Sequence, residues 1–363
     1  MNADFILAIG ELGKEKGIDP ELLFQAVEEA LVTAYKKNFD SNQNVRVDMN
    51  KVTGELHIYA QRHIVAEVGD DPNEISLEEA RKIDPRYEVD DIVETEVTPR
   101  NFGRIAAQNA KQVVVQRIRE AERGMVFEKF SSRENDIVTG IIQRMENKNV
   151  YIDLGKAEAI LTPNEQIPGE IYQYHDRMKT YIVEVKKTSK GPQIMVSRTH
   201  PGLLKRLFEL EVPEIHDGLV EIKSVAREPG MRSKISVYTK DENIDPVGAC
   251  VGHKGMRVQT IVNELRGEKI DIVKYSSEPD QYVANALSPA KVVSTEVLEE
   301  EKICRVIVPD YQLSLAIGKE GQNARLAAKL TGWKIDIKSE SQAAEEAEQG
   351  AQEVGVAYEA DED

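Results

Sequence analysis

The stretch that decides the fold occurs twice in this chain, with the two copies 66 positions apart. The first copy reads Gly252-His253-Lys254-Gly255 and continues through a helix-like run to Gly267-Glu268-Lys269-Ile270-Asp271-Ile272. The second reads Gly318-Lys319-Glu320-Gly321 and continues to Gly332-Trp333-Lys334-Ile335-Asp336-Ile337. Because the flanks repeat together with the tetrapeptide, the pattern predicts a duplicated helix–turn–helix–strand module.

The tetrapeptide Gly-x-x-Gly alone is weak evidence, so the flanks decide which copies matter. A chain of 363 residues with 23 glycines contains about one or two such matches by chance. A third match, Gly10-Glu11-Leu12-Gly13, has no strand pair before it and no Lys-Ile-Asp-Ile after it. We therefore interpret it as an unrelated loop.

The two flanked tetrapeptides have the chemistry of a phosphate-binding turn. Glycine at both ends lets a phosphate approach the backbone closely, because no Cβ blocks it. The next helix starts at once, so its unpaired N–H groups and positive dipole end face the anion. KH modules use such a loop to clamp about four nucleotides, with the bases along an adjacent groove.

The sequence therefore predicts two loops that bind single-stranded RNA, although either loop alone could be an ordinary helix–turn–helix corner. We expect Glu320 to face solvent, because a carboxylate pointing inward would repel phosphate. The predicted RNA-binding residues of the loops are Gly252, His253, Lys254, Gly255, Gly318, Lys319 and Gly321.

Between residues 136 and 197 the hydrophobic period changes to two, which is typical of strands. Five short candidates, at 137–142, 150–154, 159–161, 178–186 and 193–196, predict a small five-stranded barrel of the OB type.

The stretch Val150-Tyr151-Ile152-Asp153-Leu154-Gly155 resembles the second strand of an S1-type OB domain, where an outward aromatic stacks on a base. The next strand, Ala159-Ile160-Leu161-Thr162, lacks the glycine, the second aromatic and the histidine of that pattern, which predicts a weaker RNA surface. The candidate contacts are Tyr151, Lys186, Lys187 and Arg198. The alternative is a surface aromatic with ordinary solvated charges.

The N-terminal third reads as a mixed α/β head. A helix is predicted over 19–39, a hairpin over 45–48 and 55–60, and a short helix after a capping box at Ser76. A long helix is predicted from Phe102 to Glu122, with a buried stripe through Phe102, Ala106, Ala110, Val114 and Ile118. Its other face carries Arg104 and Lys111, which form either a basic contact or a solvated helix face.

These patterns predict a multidomain α+β protein. The expected parts are an N-terminal head (1–130), an S1-type OB β-barrel (135–199), a first KH domain (200–276), a second KH domain (277–343) and a disordered acidic tail (344–363).

The charge distribution separates the head from the predicted RNA-binding parts. The net charge is −17, but residues 1–130 hold 17 basic and 25 acidic groups, and residues 339–363 hold nine acids and no base. The segments between them are nearly neutral. RNA contact must therefore rest on placed groups rather than on a bulk positive field, and the acidic head favours a protein partner.

Several classes of protein are not supported by the sequence. No apolar run reaches membrane-spanning length and no secretory signal is evident, so we expect a cytoplasmic protein. Cys250 and Cys304 read as core residues, and the histidines lack metal-ligand spacing, so neither a metal nor a cofactor is expected. The common nucleotide-binding, zinc-hydrolase and serine-hydrolase motifs do not occur, so we expect no enzyme.

The order of the parts, with three specific strings, resembles the NusA family of bacterial transcription termination/antitermination factors. The strings are Phe102-Gly103-Arg104-Ile105-Ala106-Ala107-Gln108, Arg227-Glu228-Pro229-Gly230-Met231-Arg232-Ser233-Lys234, and residues 243–255. The resemblance covers the chain up to the acidic tail. It implies KH modules of type II, with the extra helix before the strand pair.

The resemblance further implies a non-enzymatic, monomeric elongation factor. Its head would dock on RNA polymerase at the flap region of the β subunit near the RNA exit, with Arg104 and Lys111 close to the exit channel. Its barrel and KH modules would receive nascent single-stranded RNA, and other Nus factors would join in antitermination. An alternative is an RNA-processing or ribosome-associated S1/KH adaptor; a third hypothesis is a stand-alone hydrolase.

Overall fold

A computed structural model describes residues 3–69 and 71–346. The chain forms two compact units, which divide between Glu128 and Lys129. Most of the predicted acidic tail, from residue 347 onward, lies outside the described residues. Residues 344–346 belong to a helical segment that starts at residue 340, so the prediction of disorder is wrong for these three.

The first unit packs helices on one face of a four-stranded sheet. The chain forms α1 (Ala3–Lys16), α2 (Pro20–Phe39), β1 (Asn44–Met49), β2 (Leu56–Val65), β3 (Glu74–Ser76), α3 (Leu77–Ile83), β4 (Ile92–Glu96) and α4 (Phe102–Ser131). Strand β2 pairs with β1, β3 and β4. The core holds Leu31 of α2, Val47 of β1, Ile58 of β2 and Phe102 of α4.

The predictions for this unit are largely confirmed. Helix α2 begins where expected, because the Asp19 carboxylate accepts a hydrogen bond from the Glu21 N–H at 2.9 Å. Helix α4 has the predicted buried stripe but runs on to Ser131, beyond the predicted end. Gly10-Glu11-Leu12-Gly13 lies inside α1; it is a helical segment and not a loop.

The second unit begins with the predicted five-stranded barrel, closed in the order β5-β6-β7-β9-β8. The strands are β5 (Ile137–Glu146), β6 (Asn149–Asp153), β7 (Glu158–Leu161), β8 (Arg177–Thr188) and β9 (Gly191–Ser197). Alternate residues point inward, as the period of two predicted; Ile152 and Leu161, for example, are fully buried.

Two modules of the same topology follow the barrel. The first contains α5 (Pro201–Glu211), α6 (Pro213–His216), β10 (Glu221–Glu228), β11 (Arg232–Tyr238), α7 (Pro246–Val251), α8 (Met256–Glu264) and β12 (Lys269–Lys274). The second contains α9 (Pro279–Ala286), β13 (Ser294–Leu298), β14 (Ile303–Val308), α10 (Leu313–Ile317), α11 (Gln322–Thr331) and β15 (Lys334–Ser339).

In each module the first two strands pair antiparallel and the last strand pairs parallel to the second. A helix precedes the strand pair in both, which confirms the type II order. In the second module this helix, α9, begins at Pro279, which suits a first helical turn.

The barrel and the two modules share hydrophobic cores. Ile137 and Tyr181 of the barrel pack in one cluster with Leu207 of α5 and Ile235 of β11. Another cluster joins Ala226 and Val273 of the first module to Tyr282, Ala286 and Leu326 of the second. This continuous packing fixes the positions of the two Gly-x-x-Gly turns within the second unit.

Candidate nucleic-acid interface

The two Gly-x-x-Gly turns have the same backbone. Gly252 has φ 74° and ψ 177°, and Gly318 has φ 78° and ψ 170°. Each is followed by one turn of 3₁₀ helix whose central residue, Lys254 or Glu320, lies in the left-handed region at φ 51° or 54°. The sequence repeat is therefore a geometric repeat as well.

The first glycine of each turn is required by the chain itself. Its φ and ψ fall in a region that only glycine occupies readily. A Cβ at Gly318 would lie 2.8 Å from the backbone N of Asn323, and a Cβ at Gly252 would lie 2.7 Å from Cγ of Arg257. The first glycine is thus needed because the turn packs tightly against its own chain. The sequence suggested a different reason, namely space for a phosphate.

The second glycine of each turn faces open space. A Cβ at Gly255 would meet no atom within 4 Å, and one at Gly321 would meet only an Arg325 nitrogen at 4.0 Å. Both have φ near +75°. An approaching ligand would find this side of the turn clear, as the motif predicted.

The interior of both turns is open to solvent. His253, Lys254, Lys319 and Glu320 are all exposed, so the expectation for Glu320 is confirmed. The N–H groups of Gly255 and Gly321 donate back to the first glycine of their own turn, each at 3.1 Å. Among the turn and loop hydrogen bonds of the described chain, none is donated by the N–H groups of the four interior residues.

One side chain braces each turn from the same position, five residues after the first glycine. Arg257 Nη1 donates to the Ala249 carbonyl at 2.6 Å and to Glu214 at 2.9 Å. Asn323 Nδ2 donates to the Ala316 carbonyl and to the Leu287 carbonyl, each at 3.0 Å. These bonds tie the helix after each turn to the helix before it, and the sequence pattern gave no sign of them.

The second turn is also tied to the first module. Arg325 Nη1 donates to the Glu320 carbonyl at 3.1 Å, while its Nε donates to Glu228 at the end of β10 at 2.6 Å. Gln322 donates to the other Glu228 oxygen at 2.9 Å. The hydrogen bond from Arg325 lowers the pKa of Glu228 below its ordinary value. We call Glu228, Gln322 and Arg325 the intermodule tether.

The predicted barrel surface is partly occupied by the chain's own side chains. Tyr151 is half-buried, and the Arg144 guanidinium carbon lies 4.1 Å from its ring centroid. Arg144 also pairs with Glu158 at 2.9 Å. Lys186 and Lys187 are exposed, with Lys186 Nζ 2.9 Å from a Glu184 oxygen. Arg144 therefore already covers one face of the Tyr151 ring.

Arg198 is not available to RNA, so that prediction is wrong. Its side chain is 1% exposed and pairs with the equally buried Glu170. It also donates to the backbone carbonyls of Lys179 and Glu264, at 2.9 and 3.0 Å. A charge at a strand end was expected to be solvated, but this one holds the barrel against the first KH module.

The family-like string 227–234 builds a similar buried network. Both Glu268 oxygens accept hydrogen bonds from Arg227 at 2.8 Å, and the Gly230 N–H and the Ser233 hydroxyl add further bonds. Burial favours the neutral form of Glu268, but these bonds outweigh it and lower its pKa. The string is therefore structural and holds the start of β12 in place.

In the first unit, Arg104 and Lys111 lie on the exposed face of α4, two turns apart. Within the described chain neither forms an ion pair. Cys250 and Cys304 are buried as expected, and burial raises the pKa of the Cys250 thiol to about 12. The described residues contain no cluster suited to a metal ion and no helix long and apolar enough to cross a membrane.

One exposed aromatic pair of the barrel was missed by the sequence reasoning. Tyr174 is 66% exposed, and its ring centroid lies 3.9 Å from that of His175. The pair precedes β8, outside the strands where the S1 pattern places its aromatics. Only a search for aromatics in the connecting loops would have found it.

An OB barrel followed by two type II KH modules with open Gly-x-x-Gly turns defines a multidomain protein built from RNA-binding folds. Four family models match the chain: the NusA N-terminal domain over residues 4–124, the S1 RNA binding domain over 131–197, the NusA-like first KH domain over 198–275 and the NusA-like second KH domain over 279–345.

Three similar proteins each carry the description transcription termination/antitermination protein NusA. The one from Halalkalibacterium halodurans is 66% identical over 345 residues, which is 95% of this chain and 90% of that protein. The one from Bacillus subtilis is 65% identical over 95% of this chain and 93% of its own. The one from Thermus thermophilus is 42% identical over 92% of this chain and 89% of its own. The chain belongs to the NusA family of transcription termination/antitermination proteins.

Proposed function

We propose that the chain is a transcription elongation factor that binds RNA polymerase and nascent RNA, and thereby modulates pausing, termination and antitermination. The observation that carries the proposal is the pair of open Gly-x-x-Gly turns with matching backbone, fixed within one packed unit. Membership in the NusA family indicates that these turns would act in transcription termination and antitermination.

On this proposal the RNA backbone contacts the two turns, where free N–H groups, Lys254 and Lys319 face the phosphates. The helices after the turns, α8 and α11, add the positive ends of their dipoles. The barrel adds weaker contacts through Tyr151, Lys186 and Lys187. On this proposal the protein acts on transcription by binding alone and catalyses no reaction. We therefore propose a non-enzymatic role without a cofactor.

The head, residues 1–130, is the proposed polymerase-binding part. Its 17 basic and 25 acidic residues favour a protein surface over a nucleic acid. We propose that it docks at the β-subunit flap near the RNA exit, with Arg104 and Lys111 directed toward emerging RNA. We further propose that the protein is a cytoplasmic monomer and that it also contacts other Nus factors.

The decisive experiment is capture of partners from a bacterial lysate by the tagged full chain, with and without ribonuclease. Polymerase retained after ribonuclease treatment supports direct docking. Loss of polymerase after treatment would mean that transcripts alone connect the two, and retrieval of ribosomes in its place would favour an RNA-processing adaptor.

The turns are tested by replacing both interiors, His253-Lys254 and Lys319-Glu320, with Asp-Asp. Lys254 and Glu320 occupy left-handed backbone, which aspartate tolerates, so the fold should survive. We expect single-stranded RNA to bind at least about tenfold more weakly, which corresponds to roughly 1.4 kcal/mol. Unchanged affinity in folded protein would refute the assignment of the turns.

A matched control exists in the second module. Replacing Glu301-Lys302 with Asp-Asp changes the charge by the same amount as replacing Lys319-Glu320. Lys302 is exposed and also left-handed, at φ 51°, but it lies in the turn between β13 and β14. We expect this variant to bind RNA like the unaltered chain and to support hairpin-dependent termination equally well in a purified transcription assay.

A further inference from the structure

An exposed strip leads along the second module to its Gly-x-x-Gly turn. It consists of exposed Tyr311, Ser314 and Leu315 and half-buried Gly318, at spacings of three, one and three residues along the 3₁₀ turn at 310–312 and α10. Tyr311 is 81% exposed, the highest value among the large apolar side chains of the described residues, and Leu315 is 47% exposed. We call these four residues the Tyr311 strip.

The backbone under Tyr311 is held firmly. Gln312 is buried, donates to the Tyr311 hydroxyl at 3.3 Å and accepts from the Lys291 N–H. The Asp310 carboxylate accepts from the Ser341 hydroxyl at 2.7 Å. An exposed apolar residue is common on protein surfaces, but this ring is presented from a pinned turn and not from a loose loop.

The first module lacks such a strip. A shift of 66 positions places Asp245, Gly248, Ala249 and Gly252 opposite the four residues of the Tyr311 strip. The Asp245 carboxylate is used as the cap of α7, since it accepts from the Val247 N–H at 3.1 Å. The two turns have the same backbone conformation, but at these four positions only the second module has an aromatic side chain.

We infer that Tyr311, supported by Leu315, is a base-stacking platform that lets the second KH module hold one nucleotide more firmly than the first can. The inference rests on the proposed function, because it takes the neighbouring turn as the phosphate site. At about 1.5–2 Å of rise per residue through the 3₁₀ turn at 310–312 and α10, the Cα atoms of Tyr311 and Gly318 lie roughly 10–14 Å apart. That distance falls within the stretch of about four nucleotides that such a loop holds.

The chemistry of the strip favours a base over a protein helix. It offers one large flat ring and one aliphatic side chain, flanked by Ser314 and by exposed Lys319, and this area is too small for an apolar protein interface. Every base has a π-face that an aromatic ring can stack on. The strip also ends at Gly318, the first residue of the turn, next to exposed Lys319.

The experiment measures binding of a short fluorescent oligouridine to the full chain and to three variants: Tyr311→Ala, Tyr311→Phe and Leu210→Ala. Leu210, on α5, is 61% exposed and controls for loss of surface apolar area. We expect Tyr311→Ala to weaken binding at least about fivefold, whereas Tyr311→Phe and Leu210→Ala stay within about twofold. Because Tyr311 is exposed, the urea unfolding midpoint should not change.

A second arm uses the same oligonucleotide with one base at a time replaced by an abasic site. At one position, loss of the base should weaken binding to the unaltered chain but should not weaken binding to Tyr311→Ala any further. This result would identify the base that stacks on the Tyr311 ring. The salt dependence of binding should be the same in both proteins, since stacking neutralises no phosphate.

The inference is overturned if Tyr311→Ala binds as well as the unaltered chain, or if no abasic position couples to Tyr311. It is also overturned if Tyr311→Ala loses capture of a protein partner while RNA affinity stays the same. If the unaltered chain bound no RNA at all, the proposed function itself would fail first, and that result is distinguishable from a failure of the platform alone.

Discussion

At the scale of single residues, the second unit contains guanidinium groups that are fully buried. Arg198 and Arg227 each have a side chain 1% exposed and pair with a carboxylate that is also buried, Glu170 and Glu268. Burying a charge is costly unless a partner and hydrogen bonds compensate it. Both arginines have them, so the position of Arg198 beside the predicted RNA-binding strands was misleading.

The role of Arg198 can be tested by Arg198→Met. The substitution removes the partner of Glu170 and leaves that carboxylate buried, so we expect a loss of about 3–5 kcal/mol in the free energy of unfolding. The folded variant should bind RNA within about twofold of the unaltered chain. As a control, Lys205→Met at an exposed site on α5 should leave the free energy of unfolding unchanged. A stable Arg198→Met variant with weak RNA binding would restore the RNA-contact interpretation.

The two glycines of one turn should respond differently to alanine. Gly318→Ala places a Cβ 2.8 Å from the Asn323 nitrogen and holds alanine in a region that costs about 1–3 kcal/mol. Gly321→Ala meets open space and should cost only about 1–2 kcal/mol for its left-handed backbone. Urea unfolding of the two variants measures the difference, and equal losses would contradict the internal role of the first glycine.

At the scale of elements, periodic patterns predicted the fold well and polar contacts poorly. The stripe of α4 and the alternation of the barrel strands depend on local spacing, so the sequence contains them. The environment of Arg198 depends on Glu264, 66 residues away in the chain, and no local pattern shows that pairing. The intermodule tether was missed for the same reason, since Glu228 and Arg325 are 97 residues apart.

The intermodule tether gives a pH-dependent prediction for Glu228→Gln. Arg325 lowers the pKa of Glu228 below its ordinary 4.5, so the folded state favours the charged form. The stabilisation is present above pH 4.5 and is lost as the pH falls through the lower folded pKa. Arg325 is half-exposed, so we expect the variant to lose only about 0.2–1 kcal/mol at pH 7.

That loss is measured by urea unfolding at pH 7 and again at pH 3. The difference between the unaltered chain and Glu228→Gln should shrink in acid, because the ionic stabilisation decreases once the pH falls below 4.5 and the unfolded state becomes protonated. The control is Arg46→Gln, which removes an ion pair with Glu94 in the first unit. This variant should leave the contacts of the second module unchanged. A constant difference at both pH values would rule out the ionic contribution of the tether.

At the scale of the whole molecule, an acidic chain is proposed to bind a polyanion. The net charge of −17 excludes attraction by a bulk positive field, so affinity must come from a few cations placed at phosphates. Each neutralised phosphate of a single strand contributes a slope of about −0.7 to the log–log dependence of affinity on salt. Lys254, Lys319 and the barrel lysines then predict a total slope of roughly −2 to −4.

The slope also locates the cations that produce it. Replacing Lys319-Glu320 with Asp-Asp removes one phosphate-facing cation, so the slope should become shallower by about 0.7, whereas the Glu301-Lys302 control should keep the full slope. Fluorescence titrations of oligouridine at several salt concentrations measure both. A slope near zero in the unaltered chain would mean that no phosphate is clamped, and an equal change in both variants would mean that overall charge, and not the turn, sets the affinity.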